Sequence, residues 1–181
     1  MVYLQYMKKT ITVFGSSQPR EGDEEYNLAY KLGSLIAKSG FDVCTGGFMG
    51  TMEAVSKGAN ENGAEVFGVT VNLWGSDPNR FITKEIKCKN LLERVNKLVE
   101  LGDAFVVLQG GTGTLLELAA SWELANKGLM DHKPILCHSS MWQGIVSIMN
   151  IQLQSEGRDT KLVKSYESIE EIVENISLAL V

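Results

Sequence analysis

A chain of 181 residues with 44% hydrophobic and 22% charged side chains can bury a continuous core and is not a largely disordered polypeptide. Its net charge of −5 works against a broad electrostatic grip on a nucleic-acid polymer or an anionic membrane, so a bound anion must be held locally. Cys44, Cys88 and Cys137 are widely separated, with neither C-x-x-C nor Cys/His ligand spacing, and predict buried thiols and no metal site.

The opening segment, Met1 to Met7, is apolar but precedes Lys8-Lys9 and is too short for the apolar region of a signal peptide. No later stretch has the length of a membrane span. The expectation is a cytoplasmic protein forming one domain over residues 1–181.

Thr10 to Phe14 is β-branched and apolar and stops at Gly15-Ser16-Ser17, which predicts a buried strand opening into a loop. Glu24 to Lys38 has helical apolar spacing and a stop at Gly40, and Phe41 to Thr45 is a second strand. After Gly46-Gly47, small and apolar residues from Met49 to Asn62 predict a helix packed tightly on a sheet, followed by a strand over Glu65 to Val71. Asn72 to Arg80, with Gly75, Asp77, Pro78 and Asn79, is the most loop-like stretch and a candidate flap. Phe81 to Cys88 is a fourth strand, Asn90 to Leu101 a helix and Ala104 to Leu108 a fifth strand. Beyond the glycines at 110–113, a helix is expected over Leu115 to Lys127, a strand over Pro134 to Cys137 and a helix over Trp142 to Leu153. A short strand over Lys161 to Lys164 and a helix over Ile169 to Leu180 complete the series.

Strands alternating with helices imply parallel pairing through right-handed crossovers, and continuous apolar runs imply strands buried on both faces. The predicted architecture is an α/β protein with a doubly wound, mostly parallel sheet of about seven strands between two helical layers. Ligands in such sheets bind beyond the carboxyl ends of the strands. Three turns lie there: Gly15-Ser16-Ser17; Thr45-Gly46-Gly47 with Gly50; and Gly110-Gly111-Thr112-Gly113-Thr114.

The last turn carries the strongest signal. Glycines bring free N–H groups close to an anion, the helix start adds partial positive charge, and Thr112 and Thr114 add hydroxyls. The 45–50 turn is a weaker candidate, because close packing of helix on sheet also uses such glycines. Neither is followed by Gly-Lys-Ser/Thr, and neither matches G-x-G-x-x-G with a downstream acid, which disfavours an ATPase and a dinucleotide dehydrogenase.

Glu117, three residues after Thr114, has two readings: the partner of Thr114 in a capping box, or a carboxylate facing whatever the glycine loop holds. Arg94 stands beside the stripe formed by Leu91, Val95 and Leu98, where an arginine is ordinarily solvated or paired with a neighbouring acid. His132 and His138 lack partner spacing and read as structural residues. Trp122 and Trp142 fit helix faces turned to the core, and Asp103 ends a helix.

Gln109-Gly110-Gly111-Thr112-Gly113-Thr114-Leu115-Leu116-Glu117, with Arg94 upstream, resembles the Pro-Gly-Gly-x-Gly-Thr-x-x-Glu hallmark of the LOG-like family, which includes cytokinin riboside monophosphate phosphoribohydrolases. The likeness runs from the first strand to about Trp142. It implies a Rossmann-like fold, a homodimer or larger homo-oligomer, no cofactor, and a nucleotide site at the glycine loops. It also implies that Arg94 and Glu117 are a catalytic pair acting on the bond between ribose and base of a nucleoside 5′-monophosphate. A dimer interface is expected around Leu92, Leu98 and Trp122.

Two departures, Gln109 in place of proline and Leu91, Leu92 and Val95 flanking Arg94, resemble a second branch of the superfamily. In that branch, similar to molybdenum-cofactor carrier proteins, the fold binds a phosphorylated pterin without hydrolysis. The old family label of lysine decarboxylase does not fit, since pyridoxal-phosphate chemistry needs a Schiff-base lysine and no lysine here has such a context.

Overall fold

The computed structural model describes residues 8–72, 75 and 77–180. The strands form one seven-stranded parallel sheet, in chain order β1 (Thr10–Phe14), β2 (Asp42–Thr45), β3 (Val66–Val71), β4 (Lys84–Cys88), β5 (Ala104–Val107), β6 (Ile135–His138) and β7 (Val163–Tyr166), the edge strands β4 and β7 being the more polar and exposed. Between them run α1 (Glu24–Lys38), α2 (Thr51–Asn60), α3 (Leu91–Leu101), α4 (Thr112–Asn126), α5 (Ser140–Ser155) and α6 (Ile169–Leu180).

The strand order is β4-β3-β2-β1-β5-β6-β7. The chain winds outward from β1 to β4, then returns to lay β5 on the other side of β1, with Ile11 opposite Ala104 and Phe14 opposite Val107. That reversal leaves a crevice at the carboxyl ends of β1 and β5, where crossover helices leave in opposite directions.

Side-chain alternation along each strand divides the apolar residues between two cores. Ile11 and Val13 join Leu32, Ile36, Val55, Ile172 and Ile176 under α1, α2 and α6. Phe14 and Phe105, stacked at 5.8 Å between centroids, join Leu98, Leu118, Trp122 and Trp142 under α3, α4 and α5. Cys44, Cys88 and Cys137 are free, buried thiols, and burial pushes Cys44 and Cys137 up to about 12, far from reactivity.

Three expectations need correction. The strand expected from Phe81 begins at Lys84, because Ile82 instead folds over the space left by Gly68. The helix expected from Leu115 begins at Thr112, so the glycine motif enters its first turn. Leu98 is fully buried and Trp122 is 8% exposed inside the second core, which leaves only Leu92, at 65%, of the three residues assigned to an interface on the surface. Asp103 does follow α3; its carboxylate receives the Thr10 N–H and the Lys9 ammonium, tying the start of β1 to that of β5. Among the described residues no helix is long and apolar enough to cross a membrane.

Candidate functional site

Along α3, Leu91, Arg94, Val95 and Leu98 share one face at helical spacing, and along α4 Thr114, Glu117, Leu118 and Ser121 do the same. Arg94 and Glu117 therefore occupy positions that ordinary packing gives to aliphatic residues, and they are 6% and 7% exposed. They meet each other: Arg94 Nη1 donates to Glu117 Oε1 at 3.2 Å. This excludes the capping-box reading of Glu117, since Gly111 is the N-cap of α4 and Thr114 lies inside the helix. It also excludes a solvated Arg94.

Every side of the guanidinium is used. Arg94 Nε donates to the Val69 carbonyl at 2.8 Å, Nη2 approaches Met52 Sδ at 3.8 Å, and the group lies 5.8 Å from the centre of the Phe48 ring. Burial pushes the Glu117 carboxyl up to about 7, with the arginine opposing that rise. A buried ion pair of this kind is poor evidence of added stability, because desolvation offsets attraction. Near neutral pH, however, such a carboxyl can take or give a proton, which is the property required of a general acid or base.

The pair lines an open cleft of ≈ 590 Å³ at the β1/β5 reversal, a volume suited to a small ligand. One wall is the start of α4, Gly111 to Thr114; another is the β1–α1 loop, Gly15, Ser16, Ser17, Gln18 and Arg20; a third is Phe48, Met49 and Met52. The start of α4 is open to an anion. Its N-cap glycine supplies no side-chain bond, its first turn carries no acid, and a Cβ on Gly111 or Gly113 would meet nothing within 4 Å. The first intrahelical bond is Leu115 N–H to Gly111 C=O, so the preceding N–H groups of the helix lack intrahelical acceptors.

The structure treats the 45–50 turn differently. Thr45, Gly46, Gly47 and Gly50 are buried, and none lines the cleft. A Cβ on Gly46 would overlap Arg94 Nη2 and stand 2.6 Å from Met52 Sδ. Thr45 Oγ1 accepts the Gly47 N–H, and the Ser16 carbonyl accepts both the N–H and the hydroxyl of Thr51 at the start of α2. The protein's own backbone thus occupies the anion-binding position of α2. What this turn provides is a close-fitting seat for the arginine. Gly110 is not in the cleft wall either, because the Thr114 side chain folds back over it.

Part of the loop expected as a flap, at 73, 74 and 76, lies outside the described residues. Its far end is anchored: Asn79 donates from its backbone to Gly47 O at 2.9 Å and from its amide to Phe48 O at 2.9 Å. Sequence reasoning missed Arg20, Phe48, Met49 and Met52. All are within five residues of a glycine turn, but only the strand order reveals that two of these turns converge. Among the described residues, no group of three or more His, Cys, Asp or Glu is placed to hold a metal ion.

A seven-stranded parallel sheet with reversed winding defines a Rossmann-like protein, with an open helix start and a buried arginine–glutamate pair lining the cleft at the reversal. This chain belongs to the SLOG cluster4 family, whose model matches residues 8–172, in agreement with the LOG-like resemblance of its glycine motif. A protein of Rhodococcoides fascians named cytokinin riboside 5′-monophosphate phosphoribohydrolase is 29% identical over 136 residues, spanning 73% of this chain and 69% of that protein. One of the same name from Mycobacterium tuberculosis is 32% identical over 134 residues, spanning 70% of this chain and 68% of that one. Among solved structures, the molybdenum cofactor binding protein of Rippkaea orientalis shares the fold, with a TM-score of 0.77 at 23% identity over 97% of this chain and 99% of that one.

Proposed function

We propose that the protein is a nucleoside 5′-monophosphate phosphoribohydrolase, cleaving the bond between ribose and base to release free base and ribose 5-phosphate. The observation that carries this reading is the buried Glu117 carboxyl, raised to about 7, paired with Arg94 in the wall of the cleft that also holds the open start of α4. The α4 N–H groups hold the 5′-phosphate, spending binding energy on a non-reacting group to align the reacting bond. As the glycosidic bond lengthens, positive charge develops at the anomeric carbon. The ionised Glu117 stabilises that charge and orients water for attack; the water's hydroxyl goes to the sugar and its proton to the departing base. Arg94 fixes the carboxylate and faces the leaving base, with Phe48 and Met52 supplying an apolar surface alongside.

The test is incubation with a panel of nucleoside 5′-monophosphates, following free base by chromatography. Wild type is expected to release base at a rate that rises with pH through about 7 and then levels, as Glu117 ionises. Glu117→Gln is expected to lower the rate by about 100-fold or more and to abolish that pH dependence. Base release by Glu117→Gln at the wild-type rate would remove the assignment.

Gln109, in place of the family's proline, and Leu91, Leu92 and Val95 around Arg94 favour a second reading, a carrier of a phosphorylated nucleotide or pterin. It predicts ligand-induced thermal stabilisation without turnover, and multiple turnovers of any nucleotide exclude it.

A further inference from the structure

The mouth of the cleft holds a second arginine, on the β1–α1 loop. Arg20 is exposed, a setting in which arginine side chains are ordinarily mobile, yet it is held at both ends. Its backbone N–H donates to Asp23 Oδ2 at 2.7 Å, and its carbonyl accepts the Asp23 N–H at 2.9 Å. Its side chain turns back on the loop, so that Nη1 donates to the carbonyls of Ser17, Gln18 and Pro19 at 2.9, 2.7 and 3.2 Å.

All of these side-chain bonds fall on one nitrogen. The Nε–Nη2 edge, whose parallel N–H groups match two oxygens of a phosphate, holds no partner among the described residues, and no carboxylate there pairs with the charge. The other cation of the cleft, Arg94, is committed to Glu117, Val69 and Met52. Arg20 is therefore the side chain that supplies the cleft with uncompensated positive charge. A fork already fixed by its own loop loses less freedom when a ligand binds than a free arginine does.

We propose that Arg20 is a ligand-binding residue that grips the phosphate of a nucleoside 5′-monophosphate through its Nε–Nη2 edge and so selects phosphorylated over unphosphorylated nucleosides, a role that rests on the nucleotide reading of the cleft. The phosphate then lies between two dissimilar donors, the neutral N–H groups of α4 and the charged fork of the β1–α1 loop. The α4 donors favour any oxyanion, whereas the fork adds a penalty for ligands that lack the charge. Lysine in its place would keep the charge but could not hold the loop carbonyls and at the same time present a separate pair of parallel donors to a phosphate.

The experiment is calorimetric titration of AMP, GMP, CMP and UMP, each beside its nucleoside. It is done in the Glu117→Gln background so that bound nucleotide stays intact, with Arg20 retained, replaced by Gln or replaced by Lys. Arg20→Gln is expected to weaken the tightest-binding monophosphate by about tenfold or more and its nucleoside by less than about twofold. Arg20→Lys is expected to recover part of the loss, and added salt is expected to narrow the gap between Arg20 and Gln. Equal weakening of nucleotide and nucleoside would assign Arg20 to holding the loop alone and overturn the proposal. So would unchanged monophosphate binding in Arg20→Gln, with the nucleotide reading intact. If the parent with Arg20 retained binds none of the four monophosphates, the nucleotide reading falls and the assignment falls with it.

Discussion

The two glycine turns beyond β2 and β5 look alike as sequence and behave as opposites. Around Gly111 and Gly113 the backbone is exposed and the space a side chain would fill is open. Around Gly46 and Gly50 it is buried, and that space is already taken by Arg94 Nη2 in one case and by the Ser16 backbone in the other. The glycines beyond β5 leave space open at the cleft, whereas those beyond β2 make room for other parts of the same protein. A glycine-rich β-to-α turn therefore signals close approach, and what approaches is decided by the surrounding chain.

The contrast breaks most visibly at Gly46. Gly46→Ala inserts a Cβ into the Arg94 guanidinium and near the Met52 sulfur, so the arginine must leave its seat. Overpacking should cost about 1–3 kcal/mol of stability, and displacement of Arg94 from Glu117 should reduce base release by about 100-fold. Thermal melts and the chromatographic assay read these separately; a variant as active as wild type would show that the seat is not needed. A double-mutant cycle sharpens the point. In an Arg94→Ala background the same substitution has room and should lose about 1–2 kcal/mol of its stability penalty, whereas simple additivity would place the strain elsewhere.

The smallest expected effect is at the open turn. Gly113→Ala should leave stability unchanged or raise it by up to about 1 kcal/mol, because alanine is the better helix former and the site is free of neighbours. The same methyl group would stand where an anion approaches the α4 N–H groups, so monophosphate affinity should fall by about tenfold in calorimetry. If Gly113→Ala instead destabilised the fold and left affinity untouched, the two turns would not be opposites.

The alternation of strands and helices was legible because strands covered on both faces demand continuous apolar runs, as in β1, β2, β3, β5 and β6, whereas the polar edge strands β4 and β7 were less sharply bounded. Apolar spacing alone puts the start of α4 at Leu115, three residues late. Thr112, Gly113 and Thr114 are poor helix formers, yet they form the first turn, where glycine's lack of a side chain leaves the N–H groups accessible. Arg94 and Glu117 were legible as candidates through the motif, and the apolar stripe of α3 carries the further signal that Arg94 replaces an aliphatic residue, whereas the buried stripe of α4 mixes Thr114 and Ser121 with Leu118 and Trp122. That these stripes face the chain's own sheet, burying Leu98 and Trp122, was not legible, because an apolar helix face does not name its partner. Nor was Arg20, whose relevance depends on β5 returning beside β1.

That return has a kinetic consequence. The cleft joins Gly15 to Glu117 across the β1–β5 pairing, whose strands are separated along the chain by β2, β3, β4 and the intervening helices. Closing so long a stretch of chain carries an entropic cost, so a ligand bound across the cleft would tie together segments that only the folded chain brings side by side. Bound nucleotide should accordingly act as a clasp, slowing the unfolding limb of a chevron while leaving the refolding limb nearly where it was.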